Sequence, residues 1–286
     1  MSVKIIADSA CDLPSEMIEK FNITLAPLLV YPEGQQDKAE KVEDPKVIYD
    51  GMRDGKVFKT AQVPPNYFEK LFSKLAENNQ PAIYIAFSSK LSGTYQSSVV
   101  MKNNIEEQNG NLDLTIIDSE CASLGYGLLV YKAAKMVEEG KSKEEIIDVI
   151  KHHKEHMEHI FTVDNLEYLR RGGRISRTAA FVGGLLNIKP ILHVVDGELV
   201  PLEEKRGRKK VLDRIIELME ERGENLDQQI IGISHGDDLE GAKKLKRMIQ
   251  NNFKAQGYIV NMIGSAIGAH SGPGTLAVYF LNDTNY

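Results

Sequence analysis

Tryptophan is absent from this 286-residue chain, cysteine occurs twice, and aromatic residues make up 7% of it. Stacked-base platforms and carbohydrate-binding aromatic shelves therefore have little to draw on. Cys11 and Cys121 stand far apart with no second pair, which excludes a cysteine zinc cage or a disulfide framework and points to reduced thiols. Positive charge is also short: 35 Lys and Arg against 41 Asp and Glu leave a net charge of −6. No overall field attracts phosphate backbones, so no nucleic-acid partner is expected. Long apolar runs are missing too. The first one ends at Asp8, too brief for a signal peptide or a membrane span, and a cytoplasmic, bacterial-style protein is expected.

Two chemical signatures are lacking or weak. There is neither a Gly-x-x-x-x-Gly-Lys-Ser/Thr loop nor a Gly-x-Gly-x-x-Gly after the first apolar run, so nucleotide binding is unsupported and no cofactor is expected. His152-His-Lys-Glu-His156 matches the His-x-x-Glu-His pattern of some zinc peptidases, with His159 near the same helical face. The segment ends a charged helix without cysteine neighbours, and the favoured reading is structural or solvated histidines with no metal.

What is present is a globular balance, 42% apolar and 27% charged, long enough for two domains. Short β-branched runs alternate with amphipathic stretches, the pattern of α/β folding with crossover helices. Residues 1–157 read as an N-terminal α/β domain with a mainly parallel sheet. Its predicted strands are 3–7, 23–30, 82–87 and 114–118, and its predicted helices 14–21, 65–76, 94–107, 124–139 and 143–156. Residues 158–286 read as a second α/β domain with a mixed sheet: strands at 160–163, 188–195, 199–202, 230–234, 258–263 and 276–281, helices at 208–222 and 239–253. Asp196-Gly197 marks an antiparallel hairpin inside it.

Ligands of open α/β sheets sit beyond the carboxyl ends of strands, so the loops there carry the search. The segment Ser88-Ser-Lys-Leu-Ser-Gly-Thr-Tyr-Gln-Ser-Ser98 is rich in hydroxyls ahead of a helix. Gly93 admits a ligand close to the backbone, and Ser92 and Thr94 can donate to an anion; ordinary helix capping is the alternative. Lys59-Thr-Ala-Gln-Val-Pro-Pro65 offers Thr60 and Gln62 on an extended, proline-stiffened segment. Tyr168-Leu-Arg-Arg-Gly-Gly-Arg-Ile-Ser176 gathers three arginines around a glycine pair, and Gly268-Ala-His-Ser-Gly-Pro-Gly274 places His270 in a loop.

Together these segments resemble the DegV family. The match rests on Asp8-Ser-Ala-Cys-Asp-Leu13, Thr60-Ala-Gln-Val63, Ser88-Ser-Lys-Leu-Ser-Gly-Thr-Tyr95, Gly172-Gly-Arg-Ile-Ser176 and Ala269-His-Ser-Gly-Pro-Gly274, with Asn187-Ile-Lys-Pro190 and Asp196-Gly197 in order between the last two. The resemblance implies a two-domain protein that binds one long-chain fatty acid, carboxylate near the domain junction and acyl chain in an apolar tunnel. It implies a non-catalytic carrier that presents the carboxylate to a separate, ATP-binding kinase subunit for phosphorylation, with transient membrane contact a further expectation. Carried over, Thr60 and Ser92 bond the carboxylate beside Gly93, and Arg174, Arg206 and His270 complete the polar network. Two positions depart from the family pattern: Ala61 where serine is usual and Val63 where proline is usual.

The residues 179–186, with Ile188, Ile191 and Leu192, are the expected apolar source for the tunnel. Burying ~15 methylenes at ~0.8 kcal/mol each yields on the order of 12 kcal/mol before association costs. Arg206 lies in the basic run Glu204-Lys-Arg-Gly-Arg-Lys-Lys210, which reads either as a surface for an acidic partner or as a solvated helix start. The rival function is a serine hydrolase acting on a lipid ester, with Ser92, His270 and either Asp8 or Asp118 as a triad. Ser92 stands in Lys-Leu-Ser-Gly-Thr rather than a Gly-x-Ser-x-Gly elbow, which argues for binding instead.

Overall fold

The computed structural model describes residues 2–175 and 187–285. Two α/β domains meet along a shared apolar core. The first is built on a parallel sheet in the order β2-β1-β5-β6, from β1 (Lys4–Asp8), β2 (Thr24–Ala26), β5 (Ala82–Ala86) and β6 (Leu114–Asp118). Every residue of β5 is buried, the continuous apolar run of a strand covered on both faces. The predicted strand 23–30 is broken at Pro27: its second half, β3 (Leu29–Pro32), leaves the sheet and pairs antiparallel with β4 (Phe58–Ala61). Proline cannot donate to a ladder, which ends pairing there.

The crossover helices are α1 (Ser15–Lys20), α3 (Pro65–Glu77), α4 (Thr94–Asn109) and α5 (Ser123–Glu138), followed by α6 (Lys143–Glu155). A Ser142–Glu145 capping box starts α6. Sequence periodicity missed α2 (Pro45–Arg53), although Asp44 caps it through the Lys46 N–H and Pro45 takes its first position, both legible start signals.

The second domain carries a six-stranded mixed sheet in the order β11-β10-β12-β7-β8-β9. Its strands are β7 (Met157–Thr162), β8 (Ile188–Val195), β9 (Glu198–Arg206), β10 (Ile230–His235), β11 (Gly257–Met262) and β12 (Leu276–Leu281). Helices α8 (Arg208–Arg222) and α9 (Leu239–Phe253) cover it with a core of Ile215, Ile231, Leu245 and Phe280. The predicted hairpin forms between β8 and β9: Asp196 and Gly197 take φ +48° and +81°, the left-handed pair that a two-residue turn requires. Two short helices complete the chain, α7 (Glu167–Gly172) and α10 (Ser265–Ser271). The larger core joins Ile83 and Tyr126 of the first domain to Phe161 and Ala277 of the second.

Candidate functional site

The site forms where the carboxyl ends of the parallel strands face the second domain. The loop after β5 is fixed by Asp8 at the end of β1, whose carboxylate accepts from the Phe87 N–H at 2.9 Å and the Tyr84 hydroxyl at 3.1 Å. Complete burial pushes the Asp8 carboxyl up to about 6. Ser88 then donates to the Gly197 carbonyl at 2.8 Å, so the β8–β9 turn sits on the hydroxyl-rich loop. Between them lies a cavity of about 240 Å³. Leu28, Phe87, Leu91, Phe161, Leu169 and Leu199 supply apolar wall.

Four of the expected residues come together on one polar side of this cavity, alongside Gly93: Thr60 from β4, Ser92 from the loop after β5, Arg174 just beyond α7, and His270. His270 stands in the last turn of α10, not in a loop as the sequence suggested. Its Nε2 lies 2.8 Å from Thr60 Oγ1, while its Nδ1 is buried without a hydrogen-bond partner among the described residues. Burial, then the positive charges of Arg174 and Lys59, pushes the imidazole down to about 3. The ring is neutral and carries one proton. On Nδ1 that proton would be an orphaned buried donor; on Nε2 it donates to Thr60, the less costly arrangement. Thr60 then has its own hydroxyl hydrogen left for a ligand.

Ser92 is arranged alike. Its Oγ lies 2.9 Å from Thr94 Oγ1 and accepts from the Thr94 N–H at 3.3 Å. Thr94 in turn accepts from the Val63 N–H at 3.4 Å, a bond that a proline at 63 has no hydrogen to make. With Thr94 donating to Ser92, the serine hydrogen is also free for a ligand. Arg174 is positioned by its Nε on the Leu91 carbonyl at 3.0 Å and Nη1 on the Gly172 carbonyl at 2.7 Å. Burial lowers its pKa, yet a guanidinium keeps its charge in proteins. One cation and two hydroxyls thus line the same space, a set that can receive a carboxylate.

Other expectations fall differently. Arg206 is exposed at the end of β9 and is not in the cavity wall. In the same basic run, Arg208 is drawn into ion pairs with Asp164 and Asp238. Ile188, Ile191 and Leu192 do not line the cavity; Ile191 and Leu192 are spent on the sheet core, and residues 179–186 lie outside the described residues. The hydrolase triad does not assemble: Ser92 pairs with Thr94, His270 with Thr60, and Asp118 with the Ser89 and Glu120 N–H groups. His159 is not on the helix with His152 and His156. It lies in β7 and lines the cavity.

Sequence reasoning missed the floor of the cavity, where His159 meets Ser123 and Tyr279. His159 Nε2 accepts from the Ala122 N–H at 3.2 Å and Nδ1 donates to the Met157 carbonyl at 3.0 Å, with burial holding the ring neutral by lowering it to about 4. Ser123 donates to Asp12 at 2.6 Å and lies 3.1 Å from Ser234, which pairs with the Tyr279 hydroxyl at 2.8 Å. Burial raises Asp12 to about 7. Asp12 sits in a motif the sequence singled out; the Tyr279–Ser234–Ser123 chain that ends on it is brought there by topology alone.

Fold and site together define a two-domain α/β protein with a largely apolar cavity and one polar wall that carries a guanidinium. The model described as "Uncharacterised protein, DegV family" matches residues 2–283, and the chain belongs to the DegV family. It is 41% identical to a DegV domain-containing protein of Clostridium perfringens, over 98% of this chain and 97% of that one. It is 32% identical to a protein of Thermotoga maritima named a fatty acid-binding protein, over 96% of each. The crystal structure of DegV from Bacillus subtilis, described as a fatty acid binding protein, superposes with a TM-score of 0.85 at 31% identity, covering 98% of both chains.

Proposed function

We propose that this protein binds one long-chain fatty acid, its carboxylate against Thr60, Ser92, Gly93, Arg174 and His270 and its acyl chain in the apolar part of the cavity. The observation that carries this reading is the Thr60–His270 pair in the polar wall of a largely apolar space: a neutral imidazole turns a threonine hydroxyl into a donor aimed at an anion. Relatives named for fatty acid binding support the ligand class. A buried apolar chain supplies the driving force, and the polar wall orients the head.

The same reading makes the protein a carrier rather than a catalyst, with the carboxylate offered to a separate kinase subunit that brings its own ATP site. It also divides the chain at 157/158, one residue into β7 and just past the end of α6. The exposed Arg206 then belongs to the partner surface instead of the carboxylate site.

Native mass spectrometry of the purified protein, followed by denaturing extraction, tests the ligand. One fatty acid per chain is expected. An empty protein that also fails to take up added fatty acid overturns the assignment, and ester hydrolysis by the chain alone returns Ser92 to the rival chemistry.

A further inference from the structure

The histidine run at the end of α6 acquires a partner from the far end of the chain. His152 and His156, one helical turn apart, hold their ring centroids 4.4 Å from each other. Asp283, in the segment after β12, faces both. Its Oδ1 lies 3.8 Å from His152 Nε2 and its Oδ2 lies 3.9 Å from His156 Nε2. These separations are too long for hydrogen bonds. The ligand atoms of the three residues all lie within 4.8 Å of one another. Ligands around a tetrahedral dication with bonds of ~2.0–2.2 Å stand ~3.3–3.6 Å apart, so side-chain closure of about 1 Å completes the set.

The surroundings prepare it. Asn282 Oδ1 lies 2.9 Å from His156 Nδ1, which places the ring proton there and leaves the Nε2 lone pair toward Asp283. Such a contact behind the ligand orients metal-bound imidazoles generally. Asn282 is itself held, its side-chain amide donating to Glu158 at 2.9 Å and its N–H to the His156 carbonyl at 3.0 Å. The Asn285 N–H donates to Asp283 Oδ1 at 2.8 Å, which fixes the carboxylate in place beside the two rings. The three side chains are 21–33% exposed, which admits an ion and leaves room for water as a fourth ligand.

We propose that His152, His156 and Asp283 bind one borderline dication, zinc fitting the two-imidazole, one-carboxylate set best, and that the ion fastens the C-terminal segment to α6. Two nitrogens and one oxygen suit zinc, cobalt, nickel or copper and discriminate against magnesium and calcium, which demand oxygen. None of the three residues lines the cavity. The ion is therefore a clamp on the fold, separate from the ligand site.

The test is calorimetric titration of the tag-free, chelator-washed full chain with zinc chloride, alongside hydrogen exchange of the amides at 282–285. One zinc per chain is expected. His156→Ala and Asp283→Asn should each weaken it at least tenfold, and Asn282→Ala by about tenfold through the misoriented imidazole. Zinc should slow exchange at 282–285 in the unaltered chain and not in His156→Ala. Absence of binding, binding that all three variants retain, or binding that leaves exchange at 282–285 unchanged overturns the proposal. Uptake of fatty acid serves as the check that each variant is folded.

Discussion

At the scale of single residues, the site works by deciding where protons point. Thr60 donates outward because His270 donates to it, and Thr60→Val keeps the volume while removing both hydrogen bonds. Losing a hydrogen bond to a charged group costs about 1.5–3 kcal/mol, so affinity for a fatty acid should fall by roughly tenfold to a hundredfold in a displacement titration. Gly172 tests the same pair from behind. A Cβ there would run into His270 Nδ1. Gly172→Ala should push the imidazole off Thr60, weaken binding comparably and lower stability by about 1–3 kcal/mol through overpacking. The family-like residues of this wall were legible from their loops, whereas the direction of each hydroxyl was not. That direction depends on Val63, Thr94 and a buried tautomer, all of them spatial neighbours without a sequence signature.

At the scale of elements, the strongly periodic pieces were legible and the short ones were not. Strand β6 and helices α8 and α9 have the predicted limits, because each carries enough turns or β-branched residues to declare its period. Helix α10 spans seven residues, four of them within a Gly-rich stretch that reads as a loop, and is held by packing rather than propensity. It rests against α2, with Ile48, Met52 and Ala269 in one small core. The Tyr49 hydroxyl of α2 donates to the Ile263 carbonyl at 2.9 Å, and Ile263 lines the cavity just before α10 begins. Tyr49→Phe leaves that carbonyl buried without its donor, for an expected loss of about 1–3 kcal/mol by denaturant titration. Because α10 carries His270, the same variant should also bind fatty acid more weakly, and Thr60→Val, which strands the buried Nε2 hydrogen of His270, should cost stability on the same scale.

At the scale of the whole molecule, the buried carboxylates make stability depend on pH in an uncommon direction. An unfolded aspartate loses its proton near pH 4, Asp12 in the fold near 7. The folded chain therefore binds the extra proton in that window, and stability through this group falls as pH rises across it. His159 and His270, lowered to about 4 and 3, act oppositely below pH 6.5, so the raw melting curve mixes both. Comparing the chain with Asp12→Asn isolates one of them: the variant should gain on the parent by a few kcal/mol, to order of magnitude, between pH 4 and 7. A gap independent of pH would show that Asp12 titrates alike folded and unfolded. The contact between Ser88 and the Gly197 turn has a different reach. It rests a two-residue turn of one domain on the hydroxyl-rich loop of the other, so the loop that carries Ser92 is anchored twice, by Asp8 beneath it and by the Gly197 carbonyl across the domain boundary, and one stretch of the polar wall belongs to neither half alone.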